Sequence, residues 1–235
     1  MKKIAALFLV LIPVFAFLKA HAQLSYSNID VTYMSNGEFK AGHNNNHYMG
    51  IDGHPYMYDY WFPGWAKLSD GKQYNNLIML YDEVTGLPNF KNSPKDSVMT
   101  FSPRATEFGF VALSAEGTQH AVSFKSGFAK TDGLNENTYY QILAAGKMTL
   151  LKRTTKTIAK HTTYGTNEVT TSLETNEAYY LATDNKPAKI KNNNKSVLTA
   201  MSDKETQIKT FIESKSLNVK NDSDFIEVVK YYNTL

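Results

Sequence analysis

The chain has 235 residues, no cysteine, and 25 basic against 22 acidic side chains. Without cysteine it has no thiol nucleophile, Cys-ligated zinc or iron–sulfur cluster. Three lysines, Lys2, Lys3 and Lys19, fall in the N-terminal leader described next, so the rest balances at zero net charge and bulk attraction to nucleic acid loses its support.

Residues 1–22 read as a cleavable export signal. Lys2 and Lys3 precede an apolar run from Ile4 to Leu18, and Ala20-His21-Ala22 places small residues where a signal peptidase reads, so cleavage is expected between Ala22 and Gln23. The expected location is the periplasm, the outer-membrane periphery or the exterior. No later apolar run has spanning length, so no transmembrane span is expected in the mature chain. About 213 residues would remain, enough to bury a core without disulfides.

Residues 23–52 read as a loosely held arm, with one strand around Ile29–Met34. Its Gly42-His43-Asn44-Asn45-Asn46-His47 centre has no sustained period. His43, His47 and His54 are weak candidate metal ligands. The H-x₃-H spacing aligns two imidazoles only on a helix, and the neighbouring Gly and Asn residues argue against one, so solvated loop histidines are the favoured reading and no cofactor is expected.

Residues 53–192 read as a β-rich body. His54–Trp65, "HPYMYDYWFPGW", holds six aromatic rings and both tryptophans. On an extended chain Tyr56, Tyr58 and Tyr60 share one face, opposite Met57, Asp59 and Trp61. Two readings follow: an exposed strip of Tyr56, Tyr58, Trp61 and Trp65 for stacking on sugar rings, or the first strand of a core. Core is favoured, because buried aromatics are the commoner case.

Ser69-Asp70-Gly71-Lys72 predicts a hairpin turn into a strand over Tyr74–Tyr81. Within it, the continuous run Leu77–Tyr81 predicts burial on both faces. Strands are predicted at Leu87–Lys91, Val98–Phe101 and Thr106–Leu113, where Phe108, Phe110 and Ala112 share one side; Val122 and Phe124 repeat the pattern. Tyr139–Arg153 and Tyr179–Asn192 look like two copies of one hairpin, turning at Ala145-Gly146 and Asp184-Asn185, with Thr154–Thr175 between them as one strand and an exposed loop. The acid-free run holding Lys147, Lys152, Arg153, Lys156 and Lys160 is either a basic face for anionic polysaccharide or lipid, or the solvated side of strands. The second is favoured.

Residues 193–235 change to helical period. Ser202-Asp203-Lys204-Glu205 has the form of a capping box, with Ile208, Phe211 and Ile212 on one stripe after it. A second helix carries Phe225, Ile226, Val229 and Tyr232, and Val197, Leu198 and Met201 form a lead-in. The fold expected is α+β and β-rich: antiparallel hairpins in a sandwich or partial barrel, followed by a C-terminal pair of amphipathic helices on the same domain.

"GHPYMYDYWFPGWAKLSDGKQYNNLIMLYD", "EFGF", "FKSGF", "YYQILAAGKMTLLKR" and "FIEVVKYYNTL" together resemble a family of small secreted proteins of Bacteroidetes-type bacteria. The resemblance spans roughly 53–235 and implies export from a cell with an outer membrane; it brings no catalytic or binding residues.

No nucleophile, zincin or phosphate-loop motif is present. His120 and His161 are single imidazoles, and Glu83 and Glu107 are acids available for work across a cleft that sequence alone does not reveal. The function expected is therefore non-catalytic: an envelope protein that binds a protein or glycan of the cell envelope or has a structural role in assembling a surface structure. Carbohydrate binding through the aromatic strip stands second and an envelope hydrolase third.

Overall fold

The structure is a computed structural model that describes residues 48–114, 117–162, 165 and 169–235. The expected leader and most of the arm, including the strand at Ile29–Met34, lie outside the described residues.

Ten strands form one antiparallel sheet: β1 Phe62–Leu68, β2 Gln73–Asp82, β3 Leu87–Lys91, β4 Met99–Thr100, β5 Ala105–Leu113, β6 Gln119–Lys125, β7 Tyr140–Ala144, β8 Met148–Thr162, β9 Val169–Thr183 and β10 Lys186–Ile190. Three helices follow, α1 Asn194–Ala200, α2 Glu205–Ser214 and α3 Asp222–Tyr232. The spatial order is β10-β9-β8-β7-β6-β5-β1-β2-β3-β4. The protein is α+β and β-rich, as expected, with all ten strands in a single antiparallel sheet that is not closed into a barrel.

Turn chemistry sets the hairpins. Gly71 takes the positive φ of the β1–β2 turn, which closes through Leu68 N–H to the Lys72 carbonyl at 2.8 Å. Asp184 and Asn185 both adopt positive φ, 50° and 64°, the two-residue turn whose twist matches a hairpin. That turn registers β9 on β10, and the Gly146 region registers β7 on β8.

Three larger cores follow from strand alternation. Phe62, Met79, Phe108, Phe110 and Phe124 pack on one face of β1, β2, β5 and β6. Leu150, Tyr179 and Leu181 of β8 and β9 face the helices, against Val197, Met201, Ile208, Ile212, Phe225 and Val229. Their neighbours Leu151 and Tyr180 point the other way, onto Tyr140 and Phe128. Leu150 and Leu151 are both wholly buried, so β8 is covered on both faces there. Burial of each such side chain stabilises by about 1.5–3 kcal/mol. In β2 the continuous run behaves as expected: Met79 joins the large aromatic core while Leu80 joins a small cluster with Tyr56 and Trp61 on the opposite face.

Two local expectations are corrected. Thr154–Thr175 is not one strand and a loop: β8 and β9 continue as a ladder of 15 paired positions from Met148↔Thr183 to Thr162↔Val169. Thr on both faces of this ribbon, with Lys156 and Lys160 on one, leaves no sustained apolar period, so the pairing has no hydrophobic signature. The capping box does not form either. Residues 202–204 make a 3₁₀ turn, Lys204 caps α2 without a side-chain bond, and Asp203 instead accepts from the Tyr232 hydroxyl at 3.1 Å. The side-chain caps belong to Asn193 at α1 and Asn221 at α3. Among the described residues no helix is long and apolar enough to cross a membrane.

Candidate functional site

Period two on β8 sends Lys152, Thr154 and Lys156 to the helix-bearing face. There they line a groove of about 600 Å³ with Glu177 of β9, Asp222 of α3, Glu83 just past β2, and Tyr58 and His120 opposite. The curl of the sheet creates this meeting, since β2 and β8 are not neighbours. The chain past β2 is fixed twice by backbone bonds: Glu83 N–H donates to the Pro55 carbonyl at 2.8 Å, and Lys156 N–H donates to the Glu83 carbonyl at 3.0 Å.

The charges are already paired. Lys156 Nζ lies 3.3 Å from Glu83 Oε2 and donates to the carbonyls of His54 and Tyr56 at 3.0 and 2.5 Å. Lys152 Nζ bridges Glu177 at 2.8 Å and Asp222 at 2.9 Å. Tyr179 donates its hydroxyl to the other Asp222 oxygen at 2.7 Å. Burial alone would lower the Lys152 ammonium, but its bonds to Glu177 and Asp222 reverse that and hold its pKa above the ordinary value. Burial pushes the Glu83 carboxyl up, with Lys156 opposing. Glu83 is only 4 % exposed, so it is the carboxyl of the groove that is furthest from water.

Tyr58 supplies the aromatic wall. Its ring meets the edges of Phe62 and Phe110 at 5.3 and 6.1 Å, and its hydroxyl sits 3.1 Å from His120 Nε2. Burial and then Glu83 raise its pKa, so the phenol stays protonated.

The four aromatic candidates do not form one strip. Residues 56–60 follow a series of bends rather than a strand, which removes the alternation that would align them. Tyr56 and Trp61 are buried together against Leu80. Trp65 is half-buried over Gly109, and Tyr58 lies on the opposite face, in the groove. Tyr60 is exposed. Of the candidate metal ligands, His43 and His47 lie outside the described residues and His54 is half-buried. Among the described residues no group of three or more His, Asp or Glu side chains is placed to hold a metal ion.

Sequence reasoning placed Lys152 and Lys156 in one basic run and singled out Glu83 and His120, but it did not join them, and it missed Glu177 and Asp222. The spacing of Lys152 and Lys156, four apart on a strand and hence on one face, was the available signal. The acids that answer them come from distant elements. No protein-family model, curated protein or solved structure matches this chain.

Proposed function

We propose that this is an exported, non-catalytic binding protein of the cell envelope, and that the groove beside β8 receives a small polar ligand of the carbohydrate class. The groove carries the reading: its volume of about 600 Å³ suits a small ligand, and its two lysines are satisfied by three carboxylates within the wall. A strongly charged ligand would have to break those pairs, at a desolvation cost. A neutral polyol needs only hydrogen bonds and one aromatic face, which Glu177, Asp222, Thr154 and Tyr58 supply. The export half rests on residues 1–22, with the periplasm or outer-membrane periphery as location. N-terminal sequencing of the exported protein tests it, with Gln23 expected first.

A panel of neutral and acidic oligosaccharides, followed by calorimetry, tests the groove. One neutral glycan class should bind, and Tyr58→Ala and Glu177→Gln should each weaken it about tenfold, one hydrogen-bonding or stacking contact's worth. Binding to no glycan would sink the reading.

Glu83 favours a second reading. A buried carboxyl with a raised pKa, sharing a groove with Glu177 and Asp222, is the environment of a general acid in glycoside hydrolysis. Turnover of chromogenic aryl glycosides that disappears in Glu83→Gln would replace binding with hydrolysis.

A further inference from the structure

The chain uses lysine 23 times and arginine twice; Arg153 lines a pocket on the opposite face of β8, and Arg104 lies behind its wall, bonded to Asn137. This pocket, of about 220 Å³, is lined by Arg153 and Thr155 of β8, Thr85 of the β2–β3 turn, and Asn135, Thr138 and Tyr139 of the segment before β7. Period two separates it from the groove: Arg153 and Thr155 point one way, Lys152, Thr154 and Lys156 the other.

The two guanidiniums have different tasks. Arg104 is consumed in building the wall. It donates through Nη2 to the Asn137 carbonyl at 2.8 Å and through Nη1 to the Asn137 side chain, and it lies 5.2 Å over the Tyr139 ring. Tyr139 in turn donates its hydroxyl to the Ala105 carbonyl at 2.5 Å. Arg153 is half-buried, and among the described residues its guanidinium has no side-chain hydrogen bond or ion pair, with Tyr81, Tyr140 and Tyr180 as its electrostatic neighbours. Glu83 also borders the pocket, but its carboxylate is engaged by Lys156. A half-buried guanidinium offers five donors in a planar fork that matches a carboxylate. The surrounding threonine hydroxyls and asparagine amides add donors but no charge.

We infer that this pocket binds the carboxylate of a small organic acid, with Arg153 as its two-pronged anchor and the Arg104-braced wall holding the rest of the molecule. Glu83 in the wall selects for one negative charge, because a phosphate dianion would face it. This does not rest on the reading of the groove, which lies across β8 and is probed by other variants.

Because the chain has two arginines, the full-length protein labelled with ¹⁵N-arginine shows two Nε–Hε resonances. Titration with benzoate should shift the Arg153 resonance saturably and leave that of Arg104 in place. Benzamide, the neutral isostere, should do neither. Arg153→Lys keeps the charge but loses the fork, and should weaken benzoate by about tenfold, followed by ligand-observed NMR. An unmoved Arg153 resonance overturns the inference whether or not the variant folds. So does an equal response to benzamide, or phosphate binding as tightly as benzoate.

Discussion

Lys156 Nζ lies 3.3 Å from Glu83 Oε2, joining the middle of β8 to the end of β2 although four strands separate them in the sheet order. Their side chains are 12 % and 4 % exposed, and Lys156 also holds two carbonyls of the 54–56 segment. Lys156→Met strands a buried carboxylate and frees that segment. A loss of about 3 kcal/mol at pH 7 is expected, read from urea denaturation, since removing one partner of a buried pair costs about that much. Adding Glu83→Gln should restore part of it; strict additivity would mean that the pair is not coupled.

The same carboxyl makes stability depend on pH. Burial raises Glu83 above its ordinary 4.5, against the pull of Lys156. A carboxyl raised in the folded state contributes stability that is complete below its unfolded pKa and fades as pH climbs through its folded value. Glu83→Gln removes that dependence. Relative to the parent, the variant should therefore become steadily less destabilised between pH 4 and pH 7, in urea midpoints taken at each pH. A difference that runs the other way would mean Lys156 outweighs burial and holds Glu83 below 4.5.

Local chemistry was legible wherever one segment decides its own shape. The Leu77–Tyr81 run announces two-sided burial, and Asp184-Asn185 announces its turn, because neither depends on distant residues. The Thr-rich ribbon of β8 and β9 was not legible, as its cross-strand pairs carry no hydrophobic period. Ser202 matched a cap pattern, but Asp203 was drawn to Tyr232 and the local box gave way to a tertiary bond. The groove was hidden for a related reason. It exists only because the sheet curls, which brings Glu83, Lys156 and Asp222 together from positions up to 139 residues apart.

The Asp184-Asn185 turn separates two contributions at one position. Asn185 has positive φ, and its side-chain amide also donates to the Gly127 carbonyl at 2.7 Å, while its own carbonyl accepts from Ala129 N–H at 3.0 Å. Asn185→Ala loses the side-chain bond and places a methyl-bearing residue in the left-handed region, an expected cost of about 2 kcal/mol. Asn185→Gly loses the bond alone, about 1 kcal/mol. Thermal melts of the two variants should differ in that order; equal losses would mean the backbone is not strained there.

Gly64 and Gly109 sit where β1 and β5 approach too closely for a side chain. A Cβ on Gly64 would lie 2.3 Å from the Gly109 carbonyl oxygen, and one on Gly109 would lie 2.7 Å from the Val122 carbonyl oxygen and 3.0 Å from Trp65 Nε1. At each glycine the nearest obstructing atom is a backbone carbonyl oxygen, so the strands themselves must move, and at Gly64 the buried Met79 side chain must shift as well, its Cγ lying 2.5 Å from the added Cβ. Either alanine variant should cost about 3 kcal/mol, the upper end of overpacking, measured by urea denaturation. A loss under about 1 kcal/mol at Gly64 would show the β1–β5 spacing to be looser than described.

The two tryptophans report on opposite answers to the aromatic stretch. Trp61 is 5 % exposed, held by Tyr56 and Leu80 with the Lys91 ammonium 4.7 Å over its ring, whereas Trp65 is half-buried over Gly109. In Trp65→Phe, Trp61 alone should emit at short wavelength and resist acrylamide; in Trp61→Phe, Trp65 should be quenched more readily. The reverse order would contradict the burial of Trp61. Neither ring lines the groove, so a glycan bound beside Tyr58 should leave both emissions unchanged. A glycan that instead shifts Trp65 emission would place recognition on the far face of β1 and return the aromatic stretch to first place as the binding surface.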